Sequence, residues 1–221
     1  MAAYLVLLLL TPFGAEAQQV DEAQEAFKQG YTLQTGAEGG EPNLDLALRY
    51  YAQALRLQPL FYEAHANAGQ IYYQRRKYKR AAYHFGEAIK LARGRKDVSA
   101  ADEAGIASDL GGCYFQDGQL KEAERWLRGA IGLDPTLAEA HYNLINLLLR
   151  KERIAEARQQ LAIAEQQAPS ERYGIFIGRL QTQESYASWN PTWLKIVVAL
   201  AAVVAIALLV FRAVGTARST K

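Results

Sequence analysis

Apolar residues along this chain recur at the three- and four-residue spacing of an α-helix, and the helical segments themselves recur with a period of 34 residues. Four alanines mark the same position in successive copies: Ala54, Ala88, Ala130 and Ala164. The steps between them are 34 residues, 34 plus an insertion of eight, and 34. Glycine or proline falls between the segments, and no segment alternates as a strand does. The pattern therefore predicts an all-α chain.

The third copy shows the pattern most fully, with Leu110, Gly111, Tyr114, Leu120, Ala123, Leu127, Ala130, Leu133 and Pro135 at the fixed offsets. This pattern resembles the tetratricopeptide repeat in its period and residue classes. The resemblance implies an α-α superhelix of about four helix pairs, because one pair cannot bury its own apolar face and stacked pairs share one core. The expected repeats are residues 21–59, 60–93, 102–135 and 136–169, followed by a capping helix over residues 170–188.

Two departures from the repeat pattern are visible. The first repeat has about five more residues between its helices than the pattern allows, from Gly36 to Pro42. In the fourth repeat Ile145 occupies a position where the pattern has glycine. The capping helix is expected to turn one apolar side inward, formed by Tyr173, Ile175, Phe176, Ile177 and Leu180.

The C-terminal region contains an apolar run of a different kind. Residues 196–211 carry no charge, and with their neighbours they predict a transmembrane helix over residues 193–214, about the length needed to cross a bilayer. Trp193 lies at its entry, where indole rings prefer the interface. A short basic tail, residues 215–221, comes after it.

The N-terminus resembles an export signal. Residues 4–10 are apolar, Pro12 and Gly14 should break the run, and Ala15-Glu16-Ala17 has the small-x-small form of a cleavage site. These features predict a signal peptide over residues 1–17, although no Lys or Arg precedes the run. An uncleaved anchor and a plain helix that caps the solenoid are the alternatives.

Together the two ends predict a topology. A signal peptide directs the export of the residues after it, and the later apolar helix stops transfer. The basic residues after the span then favour a cytoplasmic tail and periplasmic repeats in a bacterial inner membrane. The exported part would carry 21 basic and 22 acidic residues, and this near neutrality argues against nucleic-acid binding, which relies on neutralising phosphates.

In the tetratricopeptide repeat family, fixed positions of the first helix of each pair face a concave groove. Carried over, the resemblance implies these partner-binding residues: Asn67, Gln70, Tyr73, Asp109, Phe115, Tyr142, Asn143, Asn146 and Arg150. It places Phe27, Lys28, Tyr31, Gln34 and Ser108 on the same face. Amides can donate to and accept from a peptide backbone, and aromatics give large contact area at low entropy cost. A solvated polar face with scattered aromatics is the alternative.

The chain offers little for catalysis. None of His65, His84 and His141 has a second ligand at metal spacing, and the equivalent repeat positions of His65 and His141 predict that both pack between helices. Cys113, beside Tyr114, is expected to be a buried small hydrophobe. We therefore expect a protein that is not an enzyme and that uses no cofactor, metal, nucleic acid or small-molecule substrate.

The leading functional expectation is a membrane-anchored scaffold that holds a protein or peptide partner in the groove. One alternative is a tail-anchored cytosolic adaptor. Another is an accessory subunit of a membrane complex that acts through its transmembrane helix, where Ala201 and Ala205 form a small-xxx-small pair.

Overall fold

The computed structural model of the chain describes residues 2–188, 195–204 and 206, with side chains over residues 16–37, 39–182, 195–204 and 206. All regular secondary structure in these residues is helical, which confirms the predicted all-α class. The chain divides into two compact units, Met1–Glu171 and Arg172–Lys221.

The helices follow one another with short connections. Their bounds are α1 Ala2–Thr35, α2 Leu44–Leu57, α3 Tyr62–Gln74, α4 Tyr78–Ala92, α5 Ala100–Gln116, α6 Leu120–Leu133, α7 Ala138–Arg150, α8 Ile154–Gln167 and α9 Gly174–Ser188. Short 3-10 turns occur at Ala37–Gly39 and Glu171–Tyr173.

Helices α1 to α8 of the first unit pack as four successive pairs, α1 with α2, α3 with α4, α5 with α6 and α7 with α8. The second helix of each pair also packs against the first helix of the next. In addition, α5 contacts both α3 and α7, so the first helices of neighbouring pairs lie side by side. This arrangement is the stacked helical solenoid that the repeat pattern predicts.

Local capping fixes where two of these helices begin. The Asn43 side chain accepts a hydrogen bond from the Leu46 backbone N–H at 3.0 Å at the start of α2. Ser99 lies within the eight-residue insertion, residues 94–101. Its side chain accepts from the Asp102 backbone N–H at 3.1 Å, while the Asp102 carboxylate accepts from the Ser99 N–H at 3.3 Å. This reciprocal capping box starts α5 cleanly after the irregular segment.

The four alanines that mark the same position in successive repeats are buried in the core. Ala54, Ala88, Ala130 and Ala164 are all 0% exposed. Small side chains at this position let paired helices approach closely, which is the physical reason for their 34-residue recurrence.

Each of the first three pairs has a second point of close approach, at a glycine. A Cβ added to Gly30 would lie 2.8 Å from Tyr51 Cε1, one on Gly69 would lie 2.9 Å from Phe85 Cδ1, and one on Gly111 would lie 2.8 Å from Leu127 Cγ. The extra residues of the first repeat are thus absorbed in the loop before α2, and the helix crossing keeps its form.

The fourth pair lacks this glycine but is equally well buried. Ile145 is 0% exposed and Leu161, sixteen residues later, is 7% exposed. A full side chain is therefore accommodated where the other pairs have glycine.

The apolar side of the C-terminal helix differs from the prediction. Tyr173, Phe176 and Leu180 are buried, but Ile175 and Ile177 are 54% and 38% exposed. Helix α9 also begins at Gly174 and not at Ser170. The exposure of Ile175 and Ile177 follows from the 3.6-residue period, which places residues 173, 176 and 180 on one stripe and turns the two isoleucines away from it. The later start of α9 reflects the 3-10 turn at Glu171–Tyr173 that precedes it.

The structure bears in different ways on the predicted signal peptide and on the predicted transmembrane helix. Helix α1 continues through Pro12 and Gly14, so the expected break after residue 10 is absent. Signal cleavage remains a prediction.

Much of the predicted span at residues 193–214 lies outside the described residues, although residues 195–204 and 206 are helical. Within the part of the chain that the structure describes, no helix combines the length and apolar character needed to cross a bilayer.

Candidate functional site

The repeat pattern turns one set of first-helix side chains to the same side, and we call this set, or band, the groove face. Contacts between α1 and α3, α3 and α5, and α5 and α7 join several of its members. Its members are Gln34, Asn67, Gln70, Tyr73, Asp109, Phe115, Glu139, Tyr142, Asn143, Asn146 and Arg150. None of them is fully buried, so each is open to solvent or half-covered. The band contains all nine residues predicted to bind a partner.

Contacts between neighbouring first helices begin at the N-terminal end of the band. Gln34 Nε2 on α1 donates to Gln70 Oε1 on α3 at 2.9 Å. Gln34 Oε1 accepts from the Tyr51 hydroxyl at 2.6 Å, which fixes the orientation of the Gln34 amide. The exposed Gln70 side chain is thereby held against α1.

Tyr73 connects α3 to α5. Its hydroxyl oxygen lies 3.5 Å from the position that a Cβ on Gly112 would occupy, so the ring rests directly on the backbone of α5. The ring of Tyr78 meets it edge-on, with the two centroids 5.6 Å apart. Burial raises the pKa of the Tyr73 hydroxyl, which stays neutral and able to donate a hydrogen bond. Tyr73 is thus a rigid, half-buried aromatic platform beside the groove face.

The middle of the band is acidic. Burial by surrounding protein, together with the negative charge of Glu139 on α7, raises the pKa of Asp109 from 3.8 to about 6. The residue is nevertheless exposed to water. Solvent screening therefore limits the energetic weight of the repulsion between these two carboxylates.

Two asparagines of the band use their amide nitrogens in hydrogen bonds within their own helices. Asn67 Nδ2 donates to the Glu63 backbone carbonyl at 3.0 Å, and Asn143 Nδ2 donates to Glu139 Oε1 at 3.3 Å. Both bonds use the amide nitrogen, so the amide oxygen stays available as an acceptor. Tyr142 and Asn146 are half-buried on the same helix as Asn143.

At the far end of the band, Arg150 and Phe115 are in direct contact. Arg150 Nη1 donates to the Phe115 backbone carbonyl at 3.2 Å, and its guanidinium carbon lies 5.2 Å from the centroid of the Phe115 ring. This cation–π contact joins α7 to α5 and orients both side chains. Sequence reasoning treated the two residues as separate contributors.

Two residues that the sequence placed on the groove face are elsewhere. Phe27 is half-buried and packs against the core of the first helix pair, with its ring centroid 5.7 Å from that of Tyr51 and 5.0 Å from that of Phe61. Ser108 is only 1% exposed. The family positions do not transfer at these sites because the face that each helix buries depends on its rotation against its neighbours.

The predicted burial of two histidines and of the cysteine is confirmed. His65 and His141 are 7% and 0% exposed, and Cys113 is 0% exposed. Burial and then the charge of Asp109 raise the pKa of the Cys113 thiol to about 12, so it is not a thiolate at neutral pH. Among the described residues no group of three or more His, Cys, Asp or Glu side chains is arranged to hold a metal ion. Sequence reasoning missed one arrangement, the contact between His65 and His84.

Comparison with known families agrees with this architecture. Two family models, each described as tetratricopeptide repeat, match residues 43–97 and 114–180. Together they cover more than half of the chain, so the chain is a tetratricopeptide repeat protein. No curated protein matches it in sequence.

Several solved structures share the fold. The structure reported in the functional characterization of Pseudomonas aeruginosa pilF has a TM-score of 0.59 and 19% identity, over 74% of this chain and 69% of that one. YrrB, described as a TPR protein with an unusual peptide-binding site, has a TM-score of 0.54 and 24% identity, over 70% and 75%. MamA 41-end from Desulfovibrio magneticus RS-1 has a TM-score of 0.55 and 20% identity, over 74% and 90%. At these identities the likeness concerns the fold.

Proposed function

We propose that this chain is a scaffold that binds an extended segment of a protein partner along the groove face. The observation that carries the proposal is the continuity of the band. Gln34 meets Gln70, Tyr73 rests on Gly112, and Arg150 holds Phe115, so side chains from four helices form one preorganised surface. Rigid surfaces bind with less loss of entropy. The peptide-binding site described for the similarly folded YrrB supports this use of the fold.

The acidic middle of the band favours particular partner chemistry. Asp109 and Glu139 repel each other's charge, so a carboxylate brought between them would be opposed. A segment that presents backbone amides to Asn67 and Asn143, and an amine or guanidinium group beside Asp109, would be complementary.

We further propose that the scaffold is anchored to a bacterial inner membrane by residues 193–214, with residues 1–17 removed after export and the repeats in the periplasm. The uncharged run at residues 196–211 and the small-x-small pattern at residues 15–17 support this proposal. Anchoring would raise the effective concentration of the groove for other membrane proteins.

A second candidate function is a tail-anchored adaptor that keeps its N-terminus. The observation in its favour is the helix α1, which runs without a break from Ala2 to Thr35. In that case the N-terminal segment would be part of the folded protein. The state of the N-terminus of the mature chain separates the two candidates.

Site-specific photo-crosslinking in the native cells tests the groove. A photoreactive residue replaces the exposed Gln70 or Gln116 on the first helices, or, as matched controls, the exposed Gln53 or Gln159 on the second helices. We expect one partner to be crosslinked from the first pair of positions and not from the controls. The scaffold proposal fails if the controls capture the same protein equally well.

A groove variant supplies the quantitative test. Tyr142→Ala combined with Asn143→Ala should lower the crosslinking yield from Gln70 by roughly tenfold, as expected when an interface aromatic is lost. The melting temperature of the variant is measured in parallel, to show that the solenoid is intact. An unchanged yield in a folded variant would place the partner on another surface.

A further inference from the structure

Two histidines from one helix pair share a hydrogen bond. Nδ1 of His65 on α3 lies 3.1 Å from Nδ1 of His84 on α4. His65 is buried, at 7% exposure, and His84 is half-buried. The ring of Tyr72 stacks on His84 with centroids 5.3 Å apart, and the ring of Tyr83 meets it edge-on at 5.2 Å. The pair is therefore held in place on both sides.

The backbone fixes which nitrogen carries the proton. His65 Nε2 lies 3.3 Å from the Pro59 carbonyl oxygen, and a carbonyl can only accept, so His65 Nε2 is protonated. In the neutral ring His65 Nδ1 is then an acceptor, and His84 Nδ1–H is the donor. One added proton can be held between the two facing nitrogens, because the ring that stays neutral can change its tautomer and accept. Once both rings are protonated, both facing nitrogens carry hydrogens and the bond is lost.

The fourth repeat contains the same arrangement without the second histidine. His141 occupies the position of His65, and its Nε2 donates to the Pro135 carbonyl at 2.9 Å. Nineteen residues later, as His84 follows His65, Gln160 Nε2 donates to His141 Nδ1 at 2.7 Å. A glutamine amide does not titrate, so the two repeats differ at this bond in one respect, the ability of the donor to take up a proton.

We propose that the His65–His84 pair makes the second helix pair sensitive to acid, so that α3 and α4 separate more easily as the pH falls below neutrality. Helix α3 also carries Asn67, Gln70 and Tyr73 of the groove face. Acid would thus loosen one wall of the groove and weaken partner binding, a consequence that rests on the proposed function.

The groups around the pair set the direction of the effect. Arg56 of α2 lines the cleft of about 230 Å³ that His84 and Tyr72 border, and the Arg80 guanidinium of α4 lies over the Tyr72 ring at 5.8 Å. Tyr83 and Glu87 are the facing groups on α4, and Glu87 is itself paired with Lys90 at 2.6 Å. Glu87 is the carboxylate that raises the pKa of both histidines, and its pairing with Lys90 limits how far it can offset the burial of a protonated ring.

The sign of the pH dependence follows from these surroundings. Burial, and then the charge of His65, lowers the pKa of His84 from 6.5 to about 4, while Glu87 opposes the shift. Burial also lowers the pKa of His65, against the Pro59 carbonyl and Glu87. The unfolded chain then binds more protons than the folded chain between pH 6.5 and about 4. The stability of this pair is full above pH 6.5 and is lost as the pH falls toward 4.

Thermal unfolding of the full-length chain between pH 7.5 and 5, with a chelator present, tests the pair. His84→Gln copies the bond of the fourth repeat and should reduce the acid-induced drop in melting temperature by roughly 2–5 °C relative to wild type. Gln160→His copies the second repeat into the fourth and should enlarge the drop. Hydrogen exchange at one acidic pH should show faster exchange in residues 62–74 and 78–92 of wild type than in His84→Gln.

Parallel melting profiles for wild type and His84→Gln would overturn the proposal. So would a difference that is seen only in a parallel series without the chelator, because a bound cation and not a proton would then control the pair. Histidine NMR of the wild type decides the case if His84→Gln fails to fold. His84 protonated on Nε2 at neutral pH, or titrating near pH 6.5, would also overturn it. None of these measurements uses a partner, so their failure is distinct from failure of the scaffold proposal.

Discussion

At the scale of single residues, the tightness of the helix pairs is set at a few points of contact. At Gly111 an added Cβ would lie 2.8 Å from Leu127 Cγ and 3.3 Å from the Leu127 backbone nitrogen. Because one of these neighbours is backbone, it cannot move aside cheaply. Glycine is therefore kept in the middle of α5 in spite of its low helix propensity.

We predict that Gly111→Ala destabilises the chain by about 1–3 kcal/mol, as overpacking a close crossing does. Gly105→Ala in the same helix is the matched control, because nothing lies within 4 Å of a Cβ added there. The control should be neutral or stabilising by about 0.5–1 kcal/mol, from helix propensity alone. Chemical denaturation of both variants measures the difference, and equal stabilities would show that the crossing is not tight.

At the scale of helices, one carboxylate joins two repeats. Glu124 of α6 accepts from Lys151 at 2.6 Å and from Arg153 at 2.7 Å, both in the turn between α7 and α8. Arg128 of its own helix donates to it at 3.0 Å. Desolvation opposes its ionisation, but the hydrogen bonds from Lys151, Arg153 and Arg128 outweigh this and lower the pKa of Glu124 from 4.5 to about 2. The side chain is 15% exposed, so solvent weakens the cluster only in part.

We predict that Glu124→Gln lowers the free energy of unfolding by about 1–3 kcal/mol at pH 7, between the values typical of exposed and buried ion pairs. The folded pKa lies below the unfolded one, so the stabilisation is full above pH 4.5 and is lost as the pH falls toward 2. Denaturant titrations at pH 7 and pH 3 should therefore show a smaller difference at the lower pH.

Glu122→Gln is the control on the same helix, since Glu122 forms an ion pair with Arg125 of its own helix and its side chain is 46% exposed. It should cost less than about 0.5 kcal/mol. Equal effects of the two substitutions would mean that the link between the repeats adds nothing beyond surface charge.

At the scale of the whole molecule, the predicted cleavage site can be compared with the contacts that hold the first helix in the solenoid. Among the side chains of α1 that the structure describes, from residue 16 onward, the first buried ones are Ala23 and Ala26, with exposures of 0% and 4%. Gln19 Nε2 donates to the Leu57 carbonyl at 2.7 Å, and residues 16–18 are exposed. Cleavage after Ala17 would thus leave the described contacts of the first helix pair in place.

We predict that the mature chain starts at Gln18 and that deletion of residues 193–221 moves it from the membrane fraction to the soluble fraction. N-terminal sequencing and fractionation of the native protein measure the two outcomes. A start at Met1 or Ala2 would favour the tail-anchored adaptor. A full-length chain found free of membranes would contradict anchoring under either candidate.

The sequence alone determined the helix pairs, their period and the burial of Ala54, Ala88, Ala130, Ala164 and Cys113. These features depend on local spacing, since a helix turns each residue type toward the same side wherever the pattern recurs. It also placed nine candidate binding residues on helices that the structure brings side by side. Whether they bind a partner remains a prediction.

The tertiary structure decided which side chains meet across helices. The rotation of α1 against α2 packs the half-buried Phe27 against the core, and the approach of α5 to α7 sets the charge of Glu139 against Asp109. The pairing of His65 with His84 likewise needs two helices crossing at one angle. Such contacts depend on distances of a few tenths of an ångström between residues far apart in the chain, which repeat spacing cannot fix, because many neighbouring rotations satisfy the same apolar pattern.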